Sequence, residues 1–270
     1  MGRTEPSSSP TWAFIQAAQL QAIVIGAVML REIHTRYGRD NLGFLWLIGE
    51  PFIFCMGVIG LWSLAKGPFD HGLPVLPFVM TGYLPLTLWR HVTGRAVQCF
   101  RSNASLLYHR QVKLMDLLIA RVILEFYGAL IAYLVIAFIF NAFGLYEFPK
   151  DWGLFYLGWF YFLLFSFAIG LIIGSLTEIY EWSEKLVGPF MYLMLPICGA
   201  FYMVDWLPYR FQEIAGYIPT VGAFEMIRGG QFGSSVRVHY SIVYETFVCL
   251  SLISIGMMMC RRVHRHLVIE

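Results

Sequence analysis

From Trp152 to Thr177 the chain runs without one charged side chain. A bilayer core of roughly 30 Å is crossed by about 20 consecutive apolar residues in a helix, and this run exceeds that length. Five further stretches share its character. Hydrophobic residues make up 58% of the chain and charged residues only 13%, against roughly 25% charged in a soluble domain. Continuous apolar blocks exclude a water-soluble globule and a disordered chain. They also exclude a membrane β-barrel, which alternates apolar and polar residues in short segments. A net charge of +2 with no dense basic patch argues against nucleic-acid binding. Cys55, Cys99, Cys198, Cys249 and Cys260 are odd in number and lie in or beside apolar stretches. That fits buried thiols rather than a disulfide frame or a zinc site.

The expected fold is an all-α polytopic membrane protein, one transmembrane domain over residues 1–270. Its six expected spans are Asn41–Ala65, Leu73–Trp89, Phe126–Tyr146, Trp152–Thr177, Leu186–Val204 and Tyr240–Cys260. The first carries Glu50, the second is short and rich in proline, and the last carries Glu245. The helix of the third is expected to begin before Arg121. With both termini cytoplasmic, only Lys66, Lys150, Arg210, Arg228 and Arg237 of the 19 basic residues fall outside, which is the bias that sets orientation. The inner loop with Glu178, Glu181, Glu184 and Lys185 runs against it.

Trp12 to Leu30 carries no charge but holds Gln16, Gln19 and Gln21. A helix lying in the membrane interface is expected there, with a seventh span as the alternative. Residues 1–40 then form a cytoplasmic tail and interfacial helix, 41–260 the bundle, and 261–270 a second cytoplasmic tail. Between Asp205 and His239, Pro208 and Gly216 bracket one short helix. Thr220 as N-cap and Gly229-Gly230 as a stop bracket another. An outer re-entrant or interfacial helical hairpin before the last span is expected.

No lysine precedes Ser or Thr, so the chain has no phosphate loop and hydrolyses no ATP itself. No histidine opens H-E-x-x-H and no serine sits in G-x-S-x-G. The embedded carboxylates stand out, because burying them is costly. Glu50, immediately before Pro51, is expected to be structural or gating: it would bond backbone N–H groups freed by the proline or pair with an arginine. Glu125 is expected to pair with Arg121, one turn before it. No ladder of Asp, Glu and His runs through the spans, which argues against a proton-driven carrier.

The run Arg31-Glu32-Ile33-His34-Thr35-Arg36-Tyr37-Gly38 continues through Leu42-Gly43-Phe44-Leu45-Trp46 to Glu50-Pro51. It resembles the ABC-2 permeases that export polysaccharides, the capsular branch in particular. Leu106-Leu107-Tyr108-His109-Arg110-Gln111-Val112, with Asp116 and Ala120-Arg121 following, is a second match, and Pro219 through Glu225-Met226-Ile227-Arg228 a third. Ile218 departs from the pattern, since a polar residue, often Asn, is expected before the proline. The acidic loop after the fourth span departs as well.

The resemblance implies a homodimer with two copies of a separate ATPase subunit. The ATPase binds ATP and Mg, and this chain holds no cofactor. It further implies a multi-pass protein of the bacterial inner membrane that moves a lipid-linked capsular polysaccharide outward, with periplasmic or outer-membrane export proteins as further partners. Export of O-antigen or teichoic acid is the alternative within the class, and a membrane enzyme modifying lipid-linked glycans the alternative outside it. The basic segment 101–113 is the expected ATPase contact, through Asn103, Leu106, Leu107, Tyr108, Arg110 and Lys113. Arg31, Arg36, Tyr37 and Arg39 form an elbow that holds anionic lipids or packs on the ATPase. Phe52, Trp62, Tyr192 and Tyr202 are the expected channel-lining aromatics. In the outer hairpin with Pro219, Arg210, Arg228 and Arg237 are expected to attract an acidic polymer or lipid phosphate, with a Glu225–Arg228 pair as the structural alternative.

Overall fold

The computed structural model describes residues 10–37, 42–103 and 112–269. Helices dominate: α1 (Pro10–Tyr37), α2 (Leu42–Lys66), α3 (Val75–Ala96), α4 (Leu114–Ala142), α5 (Trp152–Ile179), α6 (Glu184–Met194), α7 (Tyr209–Gly216), α8 (Pro219–Phe232) and α9 (Ile242–Ile269). A two-stranded hairpin, β1 (Phe69–Asp70) and β2 (Leu73–Pro74), joins α2 to α3. Among the described residues, four helices are long and apolar enough to cross a bilayer by length and composition: Phe14–Thr35 within α1, α4, α5, and Ile242–Val263 within α9. At 25 residues, α2 is about 38 Å long. As expected, α4 begins before Arg121. The chain is an all-α membrane protein.

Sequence chemistry sets the ends of these helices. The Asp151 carboxylate accepts the Leu154 N–H at 3.0 Å and caps α5. The Asp116 carboxylate, in the first turn of α4, accepts the Lys113 N–H at 2.8 Å. Pro219 is at the first position of α8, where the missing N–H costs nothing. Ile218 fills the N-cap position and offers no capping side chain.

The short proline-rich stretch became the centre of the bundle. Helix α3 contacts α2, α4, α5, α6 and α8, and Val79, Met80, Leu84, Leu88 and Val92 are fully covered. It continues to Ala96, so Arg90 and Arg95 are helical residues rather than part of an inner loop. Helices α5 and α8 approach to backbone contact. A Cβ on Gly158 would lie 2.8 Å from the Ala223 carbonyl oxygen, and one on Gly230 would lie 2.5 Å from the Phe155 nitrogen. The Asp151 N–H then donates to the Gly230 carbonyl at 2.9 Å.

Two expectations about helix ends are corrected. The helix expected over Leu186–Val204 ends at Met194 after 11 residues. Turns follow, with Pro196 unable to donate a backbone bond and Gly199 at φ 88°. The Gly229-Gly230 pair does not stop α8, which runs to Phe232 and ends at Gly233 with φ 58°. The pair sits in the last turn of α8, where α5 leaves no room for side chains. Thr220 is likewise inside α8 rather than its cap.

Gly158→Ala and Gly230→Ala should each lower stability by about 1–3 kcal/mol through overpacking. Gly26→Ala, with nothing within 4 Å of the added Cβ, should not. Thermal unfolding of the detergent-purified variants checks this, and equal midpoints for all three would contradict the close α5–α8 contact.

Candidate functional site

The basal end of the bundle carries residues 101–103, the start of α4 and the end of α5. Above it lies a cleft of about 460 Å³ between α2, α3 and α6, lined by Glu50, Tyr83, Thr87, Arg90, His91 and Tyr192 among others. Glu50, expected to bond freed backbone N–H groups or pair with an arginine, faces His91, with Oε1 at 3.7 Å from Nε2. The other ring nitrogen of His91, Nδ1, is 3.2 Å from Glu125 Oε2. Glu125 is only 2% exposed and also meets Arg95 Nε at 3.2 Å. His91 and Arg95 are four residues apart, so α3 presents both on one face to α4.

Arg121 does not pair with Glu125. Its Nε lies 2.9 Å from Glu32 Oε1, and its Nη1 donates to the Arg95 carbonyl at 2.6 Å. One polar path therefore runs from the cleft through Glu50, His91, Glu125 and Arg95 to Arg121 and Glu32 on α1. In a low-dielectric interior such charges persist only when paired, and each member here has a neighbour of opposite type.

A second set of contacts fixes the basal surface. Arg31 Nη1 donates to Asn103 Oδ1 at 3.0 Å, and Asn103 Nδ2 donates to the Cys99 carbonyl at 2.9 Å. Arg101 meets Glu178 at 3.6 Å and Glu181 at 3.0 Å. The Gln98 amide donates to both Glu184 carboxylate oxygens at 2.8 and 2.9 Å. The acidic loop that ran against the charge bias is thus the receiver for residues 98–101. Asn103, expected at a partner surface, is buried at 5% exposure and anchors α1 instead. Lys113 is exposed. Leu106, Leu107, Tyr108, Arg110 and Arg39 lie outside the described residues, while Arg36 and Tyr37 close α1.

At the distal end the unwound segment after α6 is held by α8. Arg228 is 0% exposed. Its Nη1 donates to the Gly199 carbonyl at 2.8 Å and to the Tyr202 carbonyl, and its Nη2 donates to the Ala200 carbonyl. The guanidinium also stacks over Phe78, 4.3 Å from the ring centroid. Gly82 of α3 makes room, since a Cβ there would overlap the Ala200 carbonyl. Glu225 does not bond Arg228: its Oε1 accepts the Val204 N–H at 3.1 Å and its Oε2 the His239 N–H at 3.0 Å. Arg228 thus offers no charge to a polymer, because both its terminal nitrogens are turned onto backbone carbonyls. Arg210 and Arg237 are exposed.

A further buried network ties α8 to α4. Gln231 Oε1 accepts from Tyr133 at 3.0 Å and Tyr146 at 2.7 Å, and Gln231 Nε2 donates to the Glu147 carbonyl at 2.7 Å. The β-hairpin closes this end. Partial burial alone would raise the Asp70 carboxyl, but Lys66 at 2.6 Å and the Trp62 indole at 3.3 Å donate to it and hold it below the usual carboxylate range.

The four aromatics expected in one conduit are not brought together. Tyr192 lines the basal cleft, 66% exposed, with Arg90 over its ring at 5.8 Å. Trp62 stacks on Phe201 at 5.6 Å, at the distal end. The Tyr202 hydroxyl donates to the Ile197 carbonyl at 2.8 Å. Phe52 packs against the core. All five cysteines are buried. His91 and Arg95 were missed because the second span was expected to end at Trp89; their spacing of four was the available signal.

The class the fold defines is an all-helical membrane bundle with embedded polar paths, a broken helix and a helical hairpin before its last long helix. Residues 6–232 match the ABC-2 type transporter family, and the chain belongs to that family. It is 39% identical over 247 residues to the capsule polysaccharide export inner-membrane protein CtrC of Neisseria meningitidis serogroup B, covering 92% of this chain and 93% of that protein. It is 37% identical to the capsule polysaccharide export inner-membrane protein BexB of Haemophilus influenzae, covering 92% and 94%. The polysialic acid transport protein KpsM of Escherichia coli is 25% identical, covering 90% and 94%.

Arg228→Met should destabilise the protein by about 3–5 kcal/mol, because buried carbonyls lose their donors. Arg228→Lys should recover only part, since one ammonium cannot reproduce a planar fork. Thermal unfolding reads both, and a wild-type midpoint for Arg228→Met would contradict the assigned role.

Proposed function

We propose that this chain is the membrane subunit of an exporter in the bacterial inner membrane that moves a lipid-linked capsular polysaccharide outward. It works as a homodimer driven by two copies of a separate ATPase subunit that binds ATP and Mg, with periplasmic or outer-membrane export proteins receiving the polymer. The likeness to capsule export proteins over 92% of the chain carries the reading. The basal end faces the cytoplasm, both termini included, and α1 lies along the interface as an elbow.

In this reading the segment 101–113 meets the ATPase. The Arg101–Glu178–Glu181 and Gln98–Glu184 contacts make its approach rigid, and Arg31–Asn103 ties it to α1. A push on that segment reaches the cleft through Arg121, Arg95, Glu125 and His91. Glu50 at the cleft acts as a gating and structural group. It has no catalytic task, because opening the cleft requires only that its contact to His91 change.

The test is ATP-dependent uptake of labelled glycolipid into inverted vesicles that hold the chain and its ATPase. Leu107→Asp with Arg110→Glu should insert normally yet lose coupled transport about tenfold or more, the scale of roughly 1.4 kcal/mol of contact. In the same vesicles Glu50→Gln should retain much of the transport and Glu50→Ala should lose it. No uptake by the unaltered complex, or unchanged uptake in the double variant, would overturn the reading and the contact respectively.

A further inference from the structure

At the distal end a cleft of about 660 Å³ lies between α7, the start of α8 and the start of α9. That is within the range of small-ligand sites. Tyr209, Tyr217, Tyr240 and Tyr244 line it, with Gln212, Glu213, His239 and Glu245. Glu245 is the unusual member. It is 2% exposed, lines the cleft, and its carboxylate accepts no hydrogen bond from any described residue.

The carboxylate rests on Gly222, where an added Cβ would occupy the place of its Oε1. Gly222 belongs to the first turn of α8, so the positive end of that helix supports the negative charge. A carboxylate supported by a helix end but given no donor stays charged only beside a cation from outside the fold. The lining supplies a second carboxylate, Glu213, and four tyrosine rings whose faces attract cations. Only His239 offers a basic group among the lining residues.

What surrounds the cleft selects the source of the cation. Its floor is the start of an apolar helix of membrane-spanning length, which places it at headgroup depth. Along that helix Val243, Phe247 and Leu250 are exposed at spacings of four and three, an apolar stripe that passes one turn from Tyr244. On α7, Phe211 and Ile214 are exposed as well. Arg210 is exposed one turn before Glu213 on the same helix, a positive group within the reach of a phosphate.

We propose that this cleft is a lipid site for a phospholipid with a primary ammonium headgroup, such as phosphatidylethanolamine. The ammonium sits between Glu245 and Glu213 within the tyrosines, the phosphate lies toward Arg210, and an acyl chain follows the Phe247 stripe. The site braces α7 and the start of α8 against α9, the region that also holds the unwound segment through Arg228 and Glu225.

Native mass spectrometry of the full chain in detergent tests this, with phosphatidylethanolamine, its trimethylated analogue phosphatidylcholine, and phosphatidylglycerol as the added probes. The ethanolamine lipid should be retained over the other two, since trimethylation removes every N–H donor and glycerol carries no charge. Glu245→Gln should reduce that preference by roughly tenfold or more, as expected for losing a charge-assisted hydrogen bond. Glu213→Gln with Tyr209→Ala, both at exposed positions, should weaken it while leaving the thermal midpoint unchanged, which keeps the test valid should Glu245→Gln fail to fold. Equal retention of the three lipids, or an ethanolamine preference that survives in the folded variants, would overturn the proposal.

Discussion

A backbone carbonyl buried in a membrane protein must find a donor, because no water is at hand to supply one. In this protein the requirement falls on the stretch after α6, where the chain leaves the helix inside the bundle and turns the carbonyls of Gly199, Ala200 and Tyr202 inward. One guanidinium answers all three. Arg228 can do so only because α8 runs against α5 at backbone distance and α3 offers Gly82 beside the turn. The broken helix, the tight hairpin and the central position of α3 are therefore consequences of a single arrangement. Glu225 completes it from the same helix by accepting the N–H groups of Val204 and His239.

The basal end solves a different problem with similar means. There the charged groups come in pairs across helices: Arg121 with Glu32, Arg95 and His91 with Glu125, Arg101 with Glu178 and Glu181. The pairs of Arg95 and His91 with Glu125 link α4, which begins near residues 104–111, to α3, which borders the cleft. Packed interiors transmit displacement because they have little free volume. In the proposed mechanism a push at the base reaches Glu50 and His91 along these pairs. The distal end is held by Arg228 and by the Gln231 network.

Much of this was legible in the sequence and part was not. The uninterrupted apolar runs announced α4, α5 and α9, and the motif from Arg31 to Pro51 announced the family. The short helices α7 and α8 were expected from Pro208, Gly216 and Thr220, although Thr220 lies inside α8 and that helix runs past Gly229-Gly230. The charge-pairing errors share one origin: local reading pairs a charge with its nearest neighbour in sequence. Arg121 and Glu125, or Glu225 and Arg228, are one turn apart, yet each found partners on other elements, because burial rewards hydrogen-bond geometry over proximity along the helix. Gly229-Gly230 likewise read as a stop, since nothing local reveals that α5 will press against it. The break after Met194 could not be read from hydropathy, which registers Leu186–Val204 as continuous.

The account is tested most directly by amide hydrogen exchange across residues 195–206. This segment lies outside any α-helix, yet the clamp predicts that the Cys198 and Val204 amides, bonded to the Met194 carbonyl and the Glu225 carboxylate, exchange as slowly as those of α8. Arg228→Lys should release them. Exchange in the unaltered protein as fast as in an unstructured peptide would contradict the claim that Arg228 and Glu225 hold the broken helix in place.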